Sequence, residues 1–164
     1  MFDEALIEQA TTLLDVAKSQ NKMIATAESC TGGLIAALLT EIAGSSSVFD
    51  RGFVTYSNDA KQSVLGVPQV TITAHGAVSE ATARAMAEGA LRHSKADLAV
   101  AVTGVAGPGG GSAEKPVGLV HMAVADHTGV RAHIAQQYGD VGRGAVRKLT
   151  VRDAVAMLQT LLDA

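Results

Sequence analysis

The sequence predicts an α/β fold: a single three-layer domain in which helices cover a mixed, mainly parallel sheet. Three observations carry this. Short apolar runs of strand length, at Met23–Ala27 and Leu98–Val102, alternate with longer stretches that carry a helical stripe. Such alternation implies parallel strands under helical cover. Late in the chain, Val117–Ala125 and Val130–Tyr138 flank Asp126–Gly129, which reads as a hairpin and adds an antiparallel part. At 164 residues the chain has the size of one ordinary domain, and neither a repeat nor a linker divides residues 1–164.

In order along the chain, residues 4–19 place Leu6, Ile7, Ala10, Leu13, Leu14 and Ala17 on one helical stripe. Met23–Ala27 reads as a buried strand, and Thr31–Ala43, rich in Leu, Ile and Ala, as a helix that Gly44–Ser47 breaks. Val48–Tyr56 reads as a strand, with Phe49, Val54 and Tyr56 as β formers. Asn58 or Ser57 caps a short helix through about Leu65. Pro68–Gly76 reads as a connection. Ser79, followed by Glu80, caps a helix to about Ser94. Leu98–Val102 is a continuous apolar strand, and Gly104–Pro116 a glycine-rich loop ahead of the hairpin. Val146, Leu149, Ala154, Met157, Leu158, Leu161 and Leu162 stripe a last long helix.

Composition narrows the function classes. Hydrophobic residues make up 48% and charged residues 18%, which excludes disorder. The net charge of −3 forces no basic face, and aromatics at 3% offer few stacking platforms, so no nucleic-acid partner is expected. One cysteine excludes an internal disulfide and a cysteine metal cage. No apolar run spans a membrane, and the acidic start at Asp3 and Glu4 is unlike a signal peptide, so a cytoplasmic protein with no membrane partner is expected. The five histidines (75, 93, 121, 127 and 133) show no zinc-ligand spacing and read as structural, so no metal is expected.

Ligands of open α/β sheets bind beyond the carboxyl ends of the strands. Three segments leave apolar strands there: Glu28–Gly33, Tyr56–Lys61 and Thr103–Gly111. If those strands are parallel neighbours, the segments form one site. Ser29 sits between a strand and a helix that Gly32 and Gly33 open. Free N–H groups at that helix start could serve an oxyanion or a phosphate. The residues alone leave Ser29 as either a nucleophile or an N-cap. Cys30 is a rival nucleophile or a buried structural thiol. Lys61 lies about one turn into its helix, where the helix dipole and burial favour a neutral amine able to act as a base; a solvated surface lysine is the alternative. Tyr56 stands near enough to join a proton relay. The glycine-dense loop from Thr103 to Ser112 cradles a phosphate or only turns the chain. Lys115, Arg143, Arg147 and Lys148 are candidate phosphate partners or surface charges.

Taken together, these segments resemble the CinA C-terminal domain family, the nicotinamide mononucleotide deamidases. The resemblance rests on Thr26–Gly33 (TAESCTGG), Gly52–Asn58 (GFVTYSN) with Lys61, and His75–Ser79 (HGAVS). It continues through Gly104–Pro108 (GVAGP), Gly110–Ser112 (GGS) and Lys115–Gly118 (KPVG), in order over almost the whole chain. It implies a metal-independent, cofactor-free amidohydrolase of pyridine nucleotide salvage that converts nicotinamide mononucleotide to nicotinate mononucleotide and ammonia. The implied catalytic residues fall at Ser29 as nucleophile, Lys61 as base and Tyr56 as supporting hydroxyl. The implied substrate-side residues fall at Thr31, Gly32, Gly33, Thr103, Gly104 and Arg143. The implied partner is the small-molecule substrate, and self-association stays open. In many relatives a larger domain precedes this one; it is expected to be absent here, where the chain begins at the deamidase helix. His121 stands where some relatives carry Trp. A non-catalytic nucleotide-binding module of the competence or damage-inducible type, and a broader serine amidase, are the rival readings.

Overall fold

The computed structural model describes residues 1–164. Its single sheet has the order β2-β1-β3-β4-β5. The strands are β1 (Ile24–Glu28), β2 (Phe49–Val54), β3 (Leu98–Gly104), β4 (Leu119–Asp126) and β5 (Gly129–Gln137). β1 pairs in parallel with β2 and with β3, whereas β4 is antiparallel to both β3 and β5. Four of the five strands therefore point the same way and β4 alone opposes them, giving the expected mixed sheet. Six α-helices cover it: α1 (Glu4–Ser19), α2 (Leu34–Glu41), α3 (Asn58–Leu65), α4 (Gln69–His75), α5 (Glu80–Arg92) and α6 (Arg143–Asp163). None of them is long and apolar enough to cross a membrane.

Strand alternation decides which helix packs where. Val100, Val102, Val120, Met122 and Val124 face α1, α2 and α6 in a core of 25 buried residues. Their neighbours in the same strands are small: Ala25, Ala27, Ala99, Ala101, Ala123 and Ala125 face α5 in a second core of 13. Alanines on the sheet meet Ala83, Ala87 and Ala90 on α5, so this helix lies close to the strands. The side of the sheet with large residues supports three helices, and the alanine side supports α5 with α3 and α4 outside it.

The elements differ from the sequence reading in three places. Residues 68–76 contain a helix, α4. Pro68 starts it, Gly76 at φ +81° ends it, and none of its residues is buried, so it leaves no apolar stripe to read. The helix expected from Thr31 begins at Leu34, because Gly32 and Gly33 take φ +59° and +100° and shape a turn instead. Two of the five histidines meet: β4–β5 pairing brings His121 Nδ1 within 3.0 Å of His133 Nε2, beside Glu80 and outside the cleft described below.

Gly89 shows how closely α5 approaches α3. A Cβ there would lie 2.1 Å from the Leu65 carbonyl oxygen at the end of α3. Gly89→Ala gains about 1 kcal/mol of helix propensity but forces two backbones apart, an overpacking cost of about 1–3 kcal/mol or more. We expect a net loss of stability in urea unfolding. A variant as stable as wild type would show that α3 yields without cost.

Candidate active site

The parallel register of β1, β2 and β3 assembles the site. Glu28, the last residue of β1, is level with Val54 on β2 and Val102 on β3. The chain continues the pairing one step further: Ser29 N–H donates to Val102 O at 3.0 Å, and Thr55 N–H donates to Glu28 O at 2.9 Å. Ser29, Thr55 and Thr103 therefore leave neighbouring strands side by side. This places the three segments singled out in the sequence at one end of the sheet.

The side chain of Glu28 is fully buried and organises the turn that follows it. Its Oε2 accepts from Thr31 Oγ1 at 2.6 Å, Gly33 N–H at 3.1 Å and Ile35 N–H at 3.0 Å. Its Oε1 accepts from Ala36 N–H at 2.9 Å. Glu28 is thus the N-terminal cap of α2, held by the helix dipole as well as by these four bonds. The free helix-start donors expected from the sequence are therefore taken. Of the other N–H groups in the turn, Gly32's goes to Ser29 O and Leu34's to Thr31 O. Those of Cys30 and Thr31 make no backbone bond, and of these two residues only Cys30 lines the cleft.

Lys61 reaches the same turn from α3. Ser57 caps that helix, its hydroxyl accepting from Ala60 N–H at 3.0 Å. Lys61 is the fourth helical residue and is 1% exposed. Its Nζ donates to Thr55 O at 2.9 Å and stands 3.0 Å from Ser29 Oγ. Both partners are neutral, and burial lowers its pKa below the ordinary lysine value. The arrangement is a hydroxyl facing an amine that is biased toward its neutral form. Cys30 differs: burial pushes its thiol up to about 12, which disfavours the reactive thiolate.

Ser29, Cys30, Tyr56, Lys61, Thr103, Gly104 and Arg143 line one cleft of about 300 Å³, the small end of the range for small-molecule sites. The opposite wall is the glycine loop at 107–110 and residues Ala77 and Val78. Thr103 is buried, its hydroxyl donating to Ala77 O at 2.7 Å and tying that wall to β3. At Gly104 a Cβ would meet Val120 Cγ2 at 2.7 Å and Leu119 O at 2.8 Å, so glycine there permits close strand contact. Arg143 donates to Gly107 O at 2.9 Å and to the Tyr56 hydroxyl at 2.7 Å, spanning the mouth. Tyr56 is thus joined to Arg143 and not to Lys61.

Several residues take places other than those read from the sequence. Thr31, Gly32 and Gly33 build the turn but do not line the cleft. Of the four candidate phosphate partners, Arg143 alone lines it. Lys115 Nζ donates to His75 O at 2.6 Å, Lys148 pairs with Asp3, and Arg147 donates to the carbonyls of Cys30 and Thr31. The sequence reading missed Glu28 as a cap and Arg147 as a clamp. A carboxylate closing an apolar strand just before Thr-Gly-Gly was a signal for the first. The second left none.

Fold and site define a class: an α/β domain with a buried serine–lysine pair at the carboxyl ends of parallel strands. Residues 6–162 match the CinA C-terminal domain, and the chain belongs to that family. It is 51% identical over 154 residues to a CinA-like protein of Synechococcus sp. (strain RCC307), covering 93% of this chain and 37% of that protein. The chain thus spans little more than a third of the length of such curated relatives. Among solved structures, the competence/damage inducible protein CihA from Agrobacterium tumefaciens superimposes with TM-score 0.97 at 55% identity, over 100% of this chain and 99% of that one. A CinA superfamily protein from Klebsiella pneumoniae gives 0.91 at 35% identity, over 96% and 98%.

The cap predicts its own test. Glu28→Gln keeps one acceptor oxygen but turns an NH₂ toward backbone donors. Hydrogen bonds to charged groups contribute about 1.5–3 kcal/mol each, so a loss of at least about 3 kcal/mol is expected in urea unfolding. Unchanged stability would mean that the carboxylate does not hold the turn.

Proposed function

We propose that this chain is an amidohydrolase that converts nicotinamide mononucleotide to nicotinate mononucleotide and ammonia. The observation that carries the reading is Lys61 Nζ, buried and 3.0 Å from Ser29 Oγ at the floor of the cleft. The family resemblance supports the choice of substrate, and the cleft supports a small molecule with an anionic end near Arg143.

In this reading, Ser29 Oγ attacks the carboxamide carbon as its proton passes to Lys61 Nζ. The carbonyl oxygen becomes an oxyanion, and the donor assigned to it in this reading is the Cys30 N–H, which makes no backbone bond. The tetrahedral species collapses, the C–N bond breaks, and Lys61 returns the proton to the leaving nitrogen, releasing ammonia. An ester on Ser29 remains. Water attacks it while Lys61 takes the water's proton. The C–O bond to Ser29 then breaks, Ser29 regains its proton from Lys61, and the carboxylic acid product departs, giving its remaining proton to solvent as it ionises to the carboxylate. The pyridinium charge of the substrate makes its carboxamide more electrophilic than a neutral amide. Thr55 O gives Lys61 a fixed acceptor, which leaves the amine's lone pair for the serine.

Ammonia release from the mononucleotide tests this. Ser29→Ala and Lys61→Met are expected to lose several orders of magnitude in kcat, and Lys61→Arg is expected not to recover it, because a guanidinium stays charged. The base must be neutral, so activity falls as pH drops through the lowered pKa of Lys61, giving an acidic limb below lysine's ordinary 10.5. An active Ser29→Ala or Lys61→Arg variant would overturn the mechanism. Wild-type protein that releases no ammonia would leave a nucleotide-binding module instead. Equal rates on nicotinamide, the mononucleotide and the dinucleotide would mark a broader amidase.

Arg143 is assigned to the phosphate. Its two present partners, a carbonyl and a phenol, are ones that a bidentate phosphate can replace. Arg143→Ala is expected to lower kcat/KM about ten- to a hundred-fold on the mononucleotide. The dephosphorylated riboside should be unaffected. Equal losses on both would move the phosphate to the glycine loop.

A further inference from the structure

Arg147 stands behind the turn that carries Ser29 and does not line the cleft. Residues 29–32 form a β-turn closed by Gly32 N–H donating to Ser29 O at 3.0 Å. The carbonyls of its two middle residues both accept from one guanidinium: Arg147 Nε donates to Cys30 O at 3.2 Å and Nη2 to Thr31 O at 3.0 Å. Because a trans peptide is planar, fixing a carbonyl also fixes the N–H that follows it on the opposite side. Holding Thr31 O therefore aims Gly32 N–H, which in turn holds Ser29 O. Holding Ser29 O aims the N–H of Cys30, in the same peptide plane. Holding Cys30 O fixes the plane between. Arg147, with Leu34 N–H as a second donor to Thr31 O, thus sets three successive peptide planes, and the first of them, Ser29–Cys30, carries an N–H that makes no backbone hydrogen bond, on a residue that lines the cleft.

We propose that Arg147 is a positioning residue that presets the oxyanion donor, the Cys30 N–H, by locking the peptide planes of residues 29–32. The proposal rests on the reading of Ser29 as the nucleophile. Arginine suits this task because its planar fork offers adjacent donors at fixed spacing and never loses its charge. Gly32 is called for by its φ of +59°, since a Cβ there would only touch Arg147 Nη2 at 3.4 Å, an ordinary contact. Glu28 holds the same turn through the Thr31 hydroxyl and α2, but it leaves these carbonyls untouched.

The test compares Arg147→Met and Arg147→Lys with wild type, using kcat and KM for the mononucleotide. It adds the affinities of the product nicotinate mononucleotide and of a pyridine boronic acid nucleotide that forms a tetrahedral adduct on Ser29. Removing a preset oxyanion donor costs about a hundred- to a thousand-fold in kcat. Arg147→Met is expected to lose kcat on that scale and boronate affinity in parallel, with KM and product affinity changed by less than about threefold. Arg147→Lys, able to hold one carbonyl, is expected to fall between. If Arg147 only stabilises the fold, kcat per folded molecule and boronate affinity stay at wild-type values while the urea midpoint drops, and the proposal is overturned. Equal loss of product and boronate affinity also overturns it. Should Arg147→Met fail to fold, Arg147→Lys and Arg147→Gln carry the same comparison. Absence of ammonia release by wild type, or an active Ser29→Ala, sinks the serine mechanism itself and is read separately from these variants.

Discussion

The four hydrogen bonds that the Glu28 carboxylate accepts are the constraint from which the rest of the site follows. They join the end of the central strand β1 to the first turn of α2 inside a region closed to water. No lysine or arginine neutralises this group; three backbone N–H groups, a hydroxyl and the positive end of a helix do so. Between strand end and helix start the chain has only Ser29 to Gly33 to reverse direction. Gly32 and Gly33 make that reversal by entering the left-handed region. Ser29 is therefore presented on a tight turn whose two ends are fixed. The same bonds fill the helix start, so an anionic group of a ligand has to find its donors elsewhere, at Cys30 or across the cleft.

Bringing an amine to that turn depends on the other face of the sheet. Alanines let α5 lie close, and Gly89 lets α3 lie close to α5. α3 then delivers Lys61 with its long side chain covered and its Nζ against a hydroxyl and a carbonyl. A buried ammonium without a carboxylate is unfavourable, and this bias favours the neutral amine. The site is thus locally costly, and the small-residue packing around it keeps the lysine from escaping to solvent.

The sheet, its hairpin and most helices were legible because their signals are periodic. Leu98–Val102 reads as a buried strand from five apolar residues, and the stripe through Leu6, Leu13 and Ala17 reads as α1. α4 was not legible, since a helix that buries nothing has no pattern. The gathering of Ser29, Lys61 and Thr103 at one end was legible from where strands end, but spacing alone left Ser29 open between a nucleophile and an N-cap, and only the resemblance through TAESCTGG reads it as a nucleophile. Glu28 and Arg147 act on backbone groups, and a hydrogen bond to a carbonyl imposes no spacing on the sequence. His121 and His133 likewise meet only through the register of β4 and β5, where they are diagonal neighbours.

Arg143 and Arg147 lie one turn apart on α6, so they share a face of that helix and point toward the same end of the sheet. Their environments separate their roles. Arg143 is exposed, and its partners are a loop carbonyl and the hydroxyl of a tyrosine that is itself exposed, both of which can turn to water or to a ligand. Arg147 is partly buried, and its partners are two carbonyls of a turn, of which Thr31 O also accepts from Leu34 N–H while Cys30 O accepts from no other backbone N–H. Releasing the first exchanges one set of hydrogen bonds for another. Releasing the second leaves the Cys30 carbonyl without a partner beside the core, which costs its desolvation. One residue type on one helix is therefore free to exchange partners at its first turn and tied to the turn's backbone at its second. The position of α6 links the mouth of the cleft to the backbone beneath the serine.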